Sequence, residues 1–402
     1  MFCPGMNSQP DGKLMIDGGS TSSAVSFYDP FTNTFTRAAN MTIGRGYQSS
    51  VTLSNGNTFT IGGSFTGGIG GLDGVPMKDG ELYNLLTGNW FYLPGALVKP
   101  MLTTYDKEGA WRTDNHAWLH AWSDGSVFQA GPSRKMNWYN TTGSGSVESA
   151  GTRNANSDQM CGLSVMFDAG KIFTAGGAQS YTDNPALNTA HLITLIGVNQ
   201  SPIVEQLSGM NYPRTFANII VLPNGQISLI GGQSYAAVFT DTQSVLQIEI
   251  FDPSTKKFIP LAPAFVPRNY HSSAVLLPDG RIMSGGGGLC YVNGNCKNAN
   301  HQDIQFFSPP YLFDSNGTQA IVQQCNQSLQ VNNNQRRMGS STHSVDTDQR
   351  RIPLSVQSIN GDTVTLSVPN DGGIVPPGFW YYFAVASTGV HSIGLTVNVL
   401  TA

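Results

Sequence analysis

Apolar positions come in short runs along this chain, each entered through a turn that ends in glycine and closed by small residues, usually a Gly-Gly pair. Six copies read DGKLMIDGGS from Asp11, NGNTFTIGGS from Asn55, DGSVFQAGPS from Asp124, AGKIFTAGGA from Ala169, NGQISLIGGQ from Asn224 and DGRIMSGGGG from Asp279. Asn-Gly and Asp-Gly supply the positive φ angles of two-residue hairpin turns, so each copy predicts a hairpin. Glycine at the strand end lets neighbouring backbones approach closely.

Most copies lead into a further strand with an aromatic or turn signal, as in VSFYDPFTNTFTRAAN, GELYNLLTGNWFYLPG and IEIFDPSTKKFIPLAP, giving about four strands per unit. Such units in series are the blades of a kelch-type β-propeller. The first copy starts almost at residue 1, which leaves two closures open: a ring of six blades, or a larger ring lacking an amino-terminal blade. The second is the expectation. Beyond Phe306 the pattern stops at SPPYLF, and RIPLSVQSI, TVTLSVPN, WYYFAVAS and IGLTVNVL then alternate apolar and polar positions at period two. The chain therefore reads as all-β, with a propeller over 1–309 and a small β-sandwich over 310–402.

Composition narrows the function. Charged residues are 11% of the 402, against 46 Gly and 22 Pro, as many short strands joined by tight turns require. A net charge of -4, with no run of Lys or Arg longer than a doublet such as Arg350 and Arg351 close to Asp348, argues against nucleic acid as a partner. No stretch of some 18 apolar residues predicts a membrane span, and Met1 leads into FCPG instead of a signal sequence, which was either removed or never belonged. Asn-X-Ser/Thr sequons stand at Asn40, Asn140, Asn316 and Asn326. Cys290 and Cys296 bracket a Gly/Asn loop short enough for a disulfide, although two reduced thiols fit that spacing equally. Secretion is the expectation.

Counting back nine residues from each turn glycine gives Cys3, Tyr47, His116, Cys161, Phe216 and His271, with Tyr270 beside the last. Equivalent positions of a propeller stand at one height around its central channel, so this scattered set should converge. Channel packing accounts for any one of them. Together, imidazole and phenolate donors suit Cu(II) in a square or tetragonal arrangement. The cysteines lack the paired short spacings of a structural zinc site, and the Gly-rich segments end strands where a nucleotide loop would open a helix.

These residues lie in motifs that resemble the galactose oxidase family of copper-radical oxidases nearly from end to end: MFCPG, GRGYQSS, FTIGGS, RTDNHAW, SVFQAGPS, MNWY, GSGSVESAG, NYHS, LLPDGR, GGGGLC and THSVDTDQRR. The resemblance implies a seven-bladed propeller followed by an immunoglobulin-like domain that sends His343 up the channel. It implies one copper ion on Tyr47, Tyr270, His271 and His343, and a thioether joining Cys3 to Tyr47. The sulfur would ease removal of an electron from Tyr47, giving a tyrosyl radical, while Tyr270 serves as base. The implied reaction turns a primary alcohol into an aldehyde and O2 into H2O2, in a secreted monomer with a small alcohol or carbohydrate as partner.

The match breaks near the rim. Phe65 stands where the family typically has a Trp over the radical Tyr, and Thr182 where galactose oxidases have Gln. Arg112, Tyr181 and Phe239 match the family's substrate contacts, Arg112 as a fork for two hydroxyls. With Cys3 in the crosslink and Cys290 joined to Cys296, Cys161 and Cys325 are left as structural thiols. The alternatives are a general or aryl primary-alcohol oxidase, a glyoxal-type oxidase, and a kelch module that binds carbohydrate or protein without catalysis. Such a module has no need of Cys3, Tyr47, Tyr270, His271 and His343 together.

Overall fold

Turn chemistry builds the repeating unit. Gly12, Gly56, Gly225 and Gly280 adopt φ of +81° to +88°, and each donates its N–H to the carbonyl three residues back, at 2.9–3.0 Å. The strands close across three residues (Leu53 N to Asn57 O, 2.8 Å) where the sequence predicts two. The reason lies in the side chain before each glycine. Asp11, Asn55, Asn224 and Asp279 accept the N–H two positions on, at 3.0–3.1 Å. Only glycine then enters the left-handed region, a type I turn followed by a bulge. Asn55→Ala removes one such bond and lowers stability by about 1 kcal/mol, read as a shift in the urea midpoint without a change in slope.

The computed structural model describes residues 3–20, 22–63, 77–103, 115–154, 156–288, 300–313, 316–317, 332–341, 343–361, 363–385 and 390–400. Its propeller sheets are antiparallel meanders over 5–37, 49–92, 118–152, 163–206, 218–263 and 272–307, here blades 1 to 6. Five have four strands and the sixth has three among the described residues. The innermost strands are Gly5–Ser8, Ser49–Thr52, Trp118–Ala121, Leu163–Asp168, Asn218–Val221 and Ser272–Leu276. A five-stranded antiparallel sheet over 332–399 follows.

Neighbouring blades bury apolar side chains face to face. Leu163, Val165 and Phe173 of blade 4 pack on Ile219, Leu229 and Phe251 of blade 5, with Phe173 and Phe251 stacked at 4.6 Å. Each such side chain contributes roughly 1.5–3 kcal/mol. Buried arginines on the segments leading into a blade pair with an acid of that blade: Arg45 with Glu81 at 3.0 Å, Arg214 with Glu249 at 2.7 Å and Arg268 with Asp303 at 2.8 Å.

Residues 337–341 and 343–351, at and between two strands of the C-terminal sheet, bond to the inner strand of every blade. The Asp348 carboxylate accepts from Ser8 N in blade 1 and from Ser340 Oγ, and pairs with Arg337. Thr347 Oγ1 donates to Ser50 O in blade 2, and Arg350 Nη2 to Ala121 O in blade 3. Arg350 forms a bridge with Met166 of blade 4. The Gln349 amide bonds Ile219 O and Val221 N of blade 5 at 2.9 and 2.7 Å, as a neighbouring strand would. Ser273 Oγ of blade 6 donates to Ser341 O. Inner strands carry one unpaired backbone edge, and this segment satisfies part of it.

Among the described residues no helix is long and apolar enough to cross a membrane.

Candidate metal and radical site

The register set converges through a shared backbone irregularity. Cys3, Tyr47, His116, Cys161, Phe216 and His271 all have left-handed φ, between 52° and 69°. For a side chain with a Cβ this costs about 1–2 kcal/mol each, and the surrounding bonds hold it. Tyr47 N donates to Cys3 O at 2.9 Å, His116 N to Tyr47 O at 2.8 Å and Phe216 N to Cys161 O at 3.1 Å, a belt from blade to blade. His343, also left-handed at φ 49°, reaches the same place from the C-terminal segment.

Six rings and one thiol meet there. The hydroxyls of Tyr47 and Tyr270 lie 2.7 Å apart, and Tyr181 donates to Tyr270 Oη at 3.1 Å. His116 Nε2 lies 3.0 Å from Tyr181 Oη. Tyr270 and His271 stack at 4.0 Å, and the His343 ring stands edge-on to Tyr47 at 5.2 Å and to His271 at 4.8 Å. Cys3 Sγ is 3.1 Å from His343 Nε2 and 4.0 Å from His271 Nε2. His271 Nδ1 donates to Gly288 O at 2.9 Å, which turns the lone pair of Nε2 inward.

Electrostatically the centre is neutral. Burial pushes the Cys3 thiol up to about 12 and the hydroxyls of Tyr47, Tyr181 and Tyr270 above their ordinary range. Burial lowers His271 to about 4 and His343 well below its usual value, with His116 and His271 adding to the effect on His343. Two unprotonated imidazoles and two phenols that a cation would deprotonate form a donor set matched to a divalent metal of intermediate hardness. Cys3, His271 and His343 bring potential ligand atoms within 4.8 Å of one another. The residues fit one copper ion.

Phe239 closes one side, its ring 5.1 Å from Tyr270 and 5.4 Å from His271. Tyr181, matched in sequence to a substrate contact, is 3% exposed and its hydroxyl points at Tyr270. Thr182 beside it is half-buried. Phe65, Arg112, Cys290, Cys296 and Cys325 lie outside the described residues, and Cys161 is buried in the apolar shell with Phe216. Sequence reasoning missed Asp348 and Arg337, which anchor the segment carrying His343. Their only sequence signal was an acid within THSVDTDQRR and an arginine at a strand end.

Residues 314–399 match the family described as galactose oxidase-like, Early set domain, and 130–311 the glyoxal oxidase N-terminus. A galactose oxidase of Gibberella zeae is 43% identical across 99% of this chain. The chain spans 61% of that relative's length. An aldehyde oxidase GLOX of Vitis pseudoreticulata is 25% identical over 89% of this chain and 72% of its own. A solved structure, described as a novel fungal alcohol oxidase with catalytic diversity among the AA5 family in complex with copper, superposes with a TM-score of 0.92 at 42% identity. It covers all of this chain, which covers 85% of it. Likeness of that extent in both sequence and fold means that this chain belongs to the galactose oxidase-like AA5 family.

Proposed function

We propose that the chain is the catalytic part of a secreted copper-radical oxidase that converts a primary alcohol to its aldehyde while O2 becomes H2O2. The convergence of Cys3, Tyr47, Tyr270, His271 and His343 on one buried point carries this reading. The propeller, over 1–309, would supply Tyr47, Tyr270 and His271 to the metal, and the domain over 310–402 would supply His343.

The reaction removes two electrons and two hydrogens from the alcohol carbon and oxygen. One of the two electrons would go to bound copper and the other, with the hydrogen atom, to Tyr47; metal and phenol together would then give two electrons to O2, which leaves with two protons as H2O2. Tyr270 Oη, with a donor from Tyr181 aimed at it, takes the hydroxyl proton as general base. Tyr47, once oxidised by one electron, takes the carbon-bound hydrogen atom and becomes a phenol again. Cys3 follows from the same demand: joined to the Tyr47 ring it donates electron density and makes that oxidation easier. His271 and His343 remain neutral throughout and hold no proton at Nε2. Phe239 excludes water beside Tyr270.

Arg112, Tyr181, Thr182 and Phe239 would shape substrate choice, with Phe65 over the radical. Thr182 lacks the amide that would read a sugar hydroxyl, which favours a broader range of primary alcohols than galactosides alone. The test is copper-dependent H2O2 release with galactose, raffinose, glycerol, benzyl alcohol and glyoxal. Turnover on galactosides identifies a galactose oxidase, and turnover only on the simple alcohols identifies a general alcohol oxidase. Copper bound without peroxide from any of them contradicts the proposal and favours a binding module.

A further inference from the structure

His116 occupies the blade 3 position of the register and is absent from the ligand set proposed above, yet its ring meets two of the proposed ligands and the Tyr181 hydroxyl. Its ring lies flat against His343 at 5.1 Å with 12° between planes, and stands edge-on to Tyr47 at 4.8 Å and 85°. Its Nε2 reaches Tyr181 Oη at 3.0 Å, and Tyr181 reaches Tyr270 Oη at 3.1 Å. Tyr181 has a single hydroxyl proton. If that proton goes to Tyr270, then His116 Nε2 must be the donor to Tyr181, so hydrogen bonding runs one way, from His116 through Tyr181 to Tyr270. Both intermediaries are buried, with His116 and Tyr181 each 3% exposed.

We infer that His116 and Tyr181 are positioning residues: the pair orients the hydroxyl of Tyr270 by a one-way donor chain and fixes the plane of His343 by stacking. This rests on the reading of the site as a copper centre. The propeller and the C-terminal segment each supply ligands, and His116, itself outside the proposed ligand set, contacts one from each with a single ring. Partners of this kind around a metal change affinity or activity by about 10–100-fold when removed.

The test is a double-mutant cycle on copper affinity, measured by chelator competition, with the Cu(II) electron paramagnetic resonance spectrum recorded alongside. His116→Phe keeps a flat ring against His343 and removes Nε2. The backbone accepts it, because Phe216 holds the equivalent position in blade 5 at φ 58°. Tyr181→Phe breaks the next link, and His116→Gln restores a donor without the ring. Each Phe variant should weaken copper binding by about 10–100-fold and alter the spectrum, with His116→Gln recovering part of the loss. The double variant should be no worse than the weaker single, because both break one chain. Single variants within about twofold of the parent, or losses that multiply in the double, overturn the inference. A parent chain that binds no copper overturns the functional proposal as well, whereas a copper-binding parent with unaffected variants overturns this inference alone.

Discussion

Tyr270→Phe is expected to lower alcohol turnover by about 10²–10⁴-fold, the usual loss when a positioned base is removed. The substitution deletes one oxygen and leaves the ring, so contacts to Phe216 at 5.0 Å, Phe239 at 5.1 Å and His271 at 4.0 Å stay available and the channel keeps its packing. What disappears is the acceptor for the alcohol proton and the oxygen to which the Tyr181 hydroxyl donates at 3.1 Å. Copper should still bind through His271, His343 and Tyr47, though more weakly. The diagnostic is a collapse of kcat with peroxide as the readout, in protein verified to carry metal. A fall of less than about tenfold would remove Tyr270 from the base role.

The second large effect concerns a residue that touches no ligand. Asp348→Ala leaves the Arg337 guanidinium in the interior without its carboxylate, where both side chains are fully buried, a change worth about 3–5 kcal/mol. It also strips the acceptor from Ser8 N–H and from Ser340 Oγ, each at about 1–3 kcal/mol if left unpaired. Ser340 and Ser8 connect the segment that carries His343 to the inner strand of blade 1, beside Cys3. The variant should therefore lose both stability and copper affinity, measured by urea unfolding with and without metal. Loss of stability with unchanged copper affinity would show that His343 is placed without Asp348.

The blades were legible because their signals are local. An apolar run, an Asx side chain and a glycine lie within ten residues of one another, so the repeat could be counted and its register used to bring Cys3, Tyr47, His116 and His271 to one height. The left-handed backbone they share was not legible, since Cys, Tyr and Phe rarely adopt it and His only somewhat more often. It is imposed by the belt of bonds between blades. The turn length also escaped the sequence: Asn-Gly suits a two-residue loop, and the bond that Asn57 N–H donates to Asn55 Oδ1 selects the three-residue form.

Long-range pairings were harder. Arg350 and Arg351 read as a basic doublet on the surface, and the fold buries Arg350 against a backbone carbonyl of blade 3 and half-buries Arg351 against one of blade 5. His343 entered the site through family resemblance alone, because nothing near it in sequence repeats. Tyr181 came with the substrate contacts, and the fold buries its hydroxyl beside Tyr270.

The most direct test of the account is peptide mapping of Cys3 and Tyr47 after copper loading in air. The two are joined by a backbone bond of 2.9 Å from Tyr47 N to Cys3 O, and the thiol is within hydrogen-bonding reach of the phenol. The account predicts that digestion releases their two peptides as one species, lighter than the sum by two hydrogens and resistant to reduction, with Cys3 closed to alkylation. Separate peptides, with Cys3 still alkylated after copper and oxygen, would contradict it.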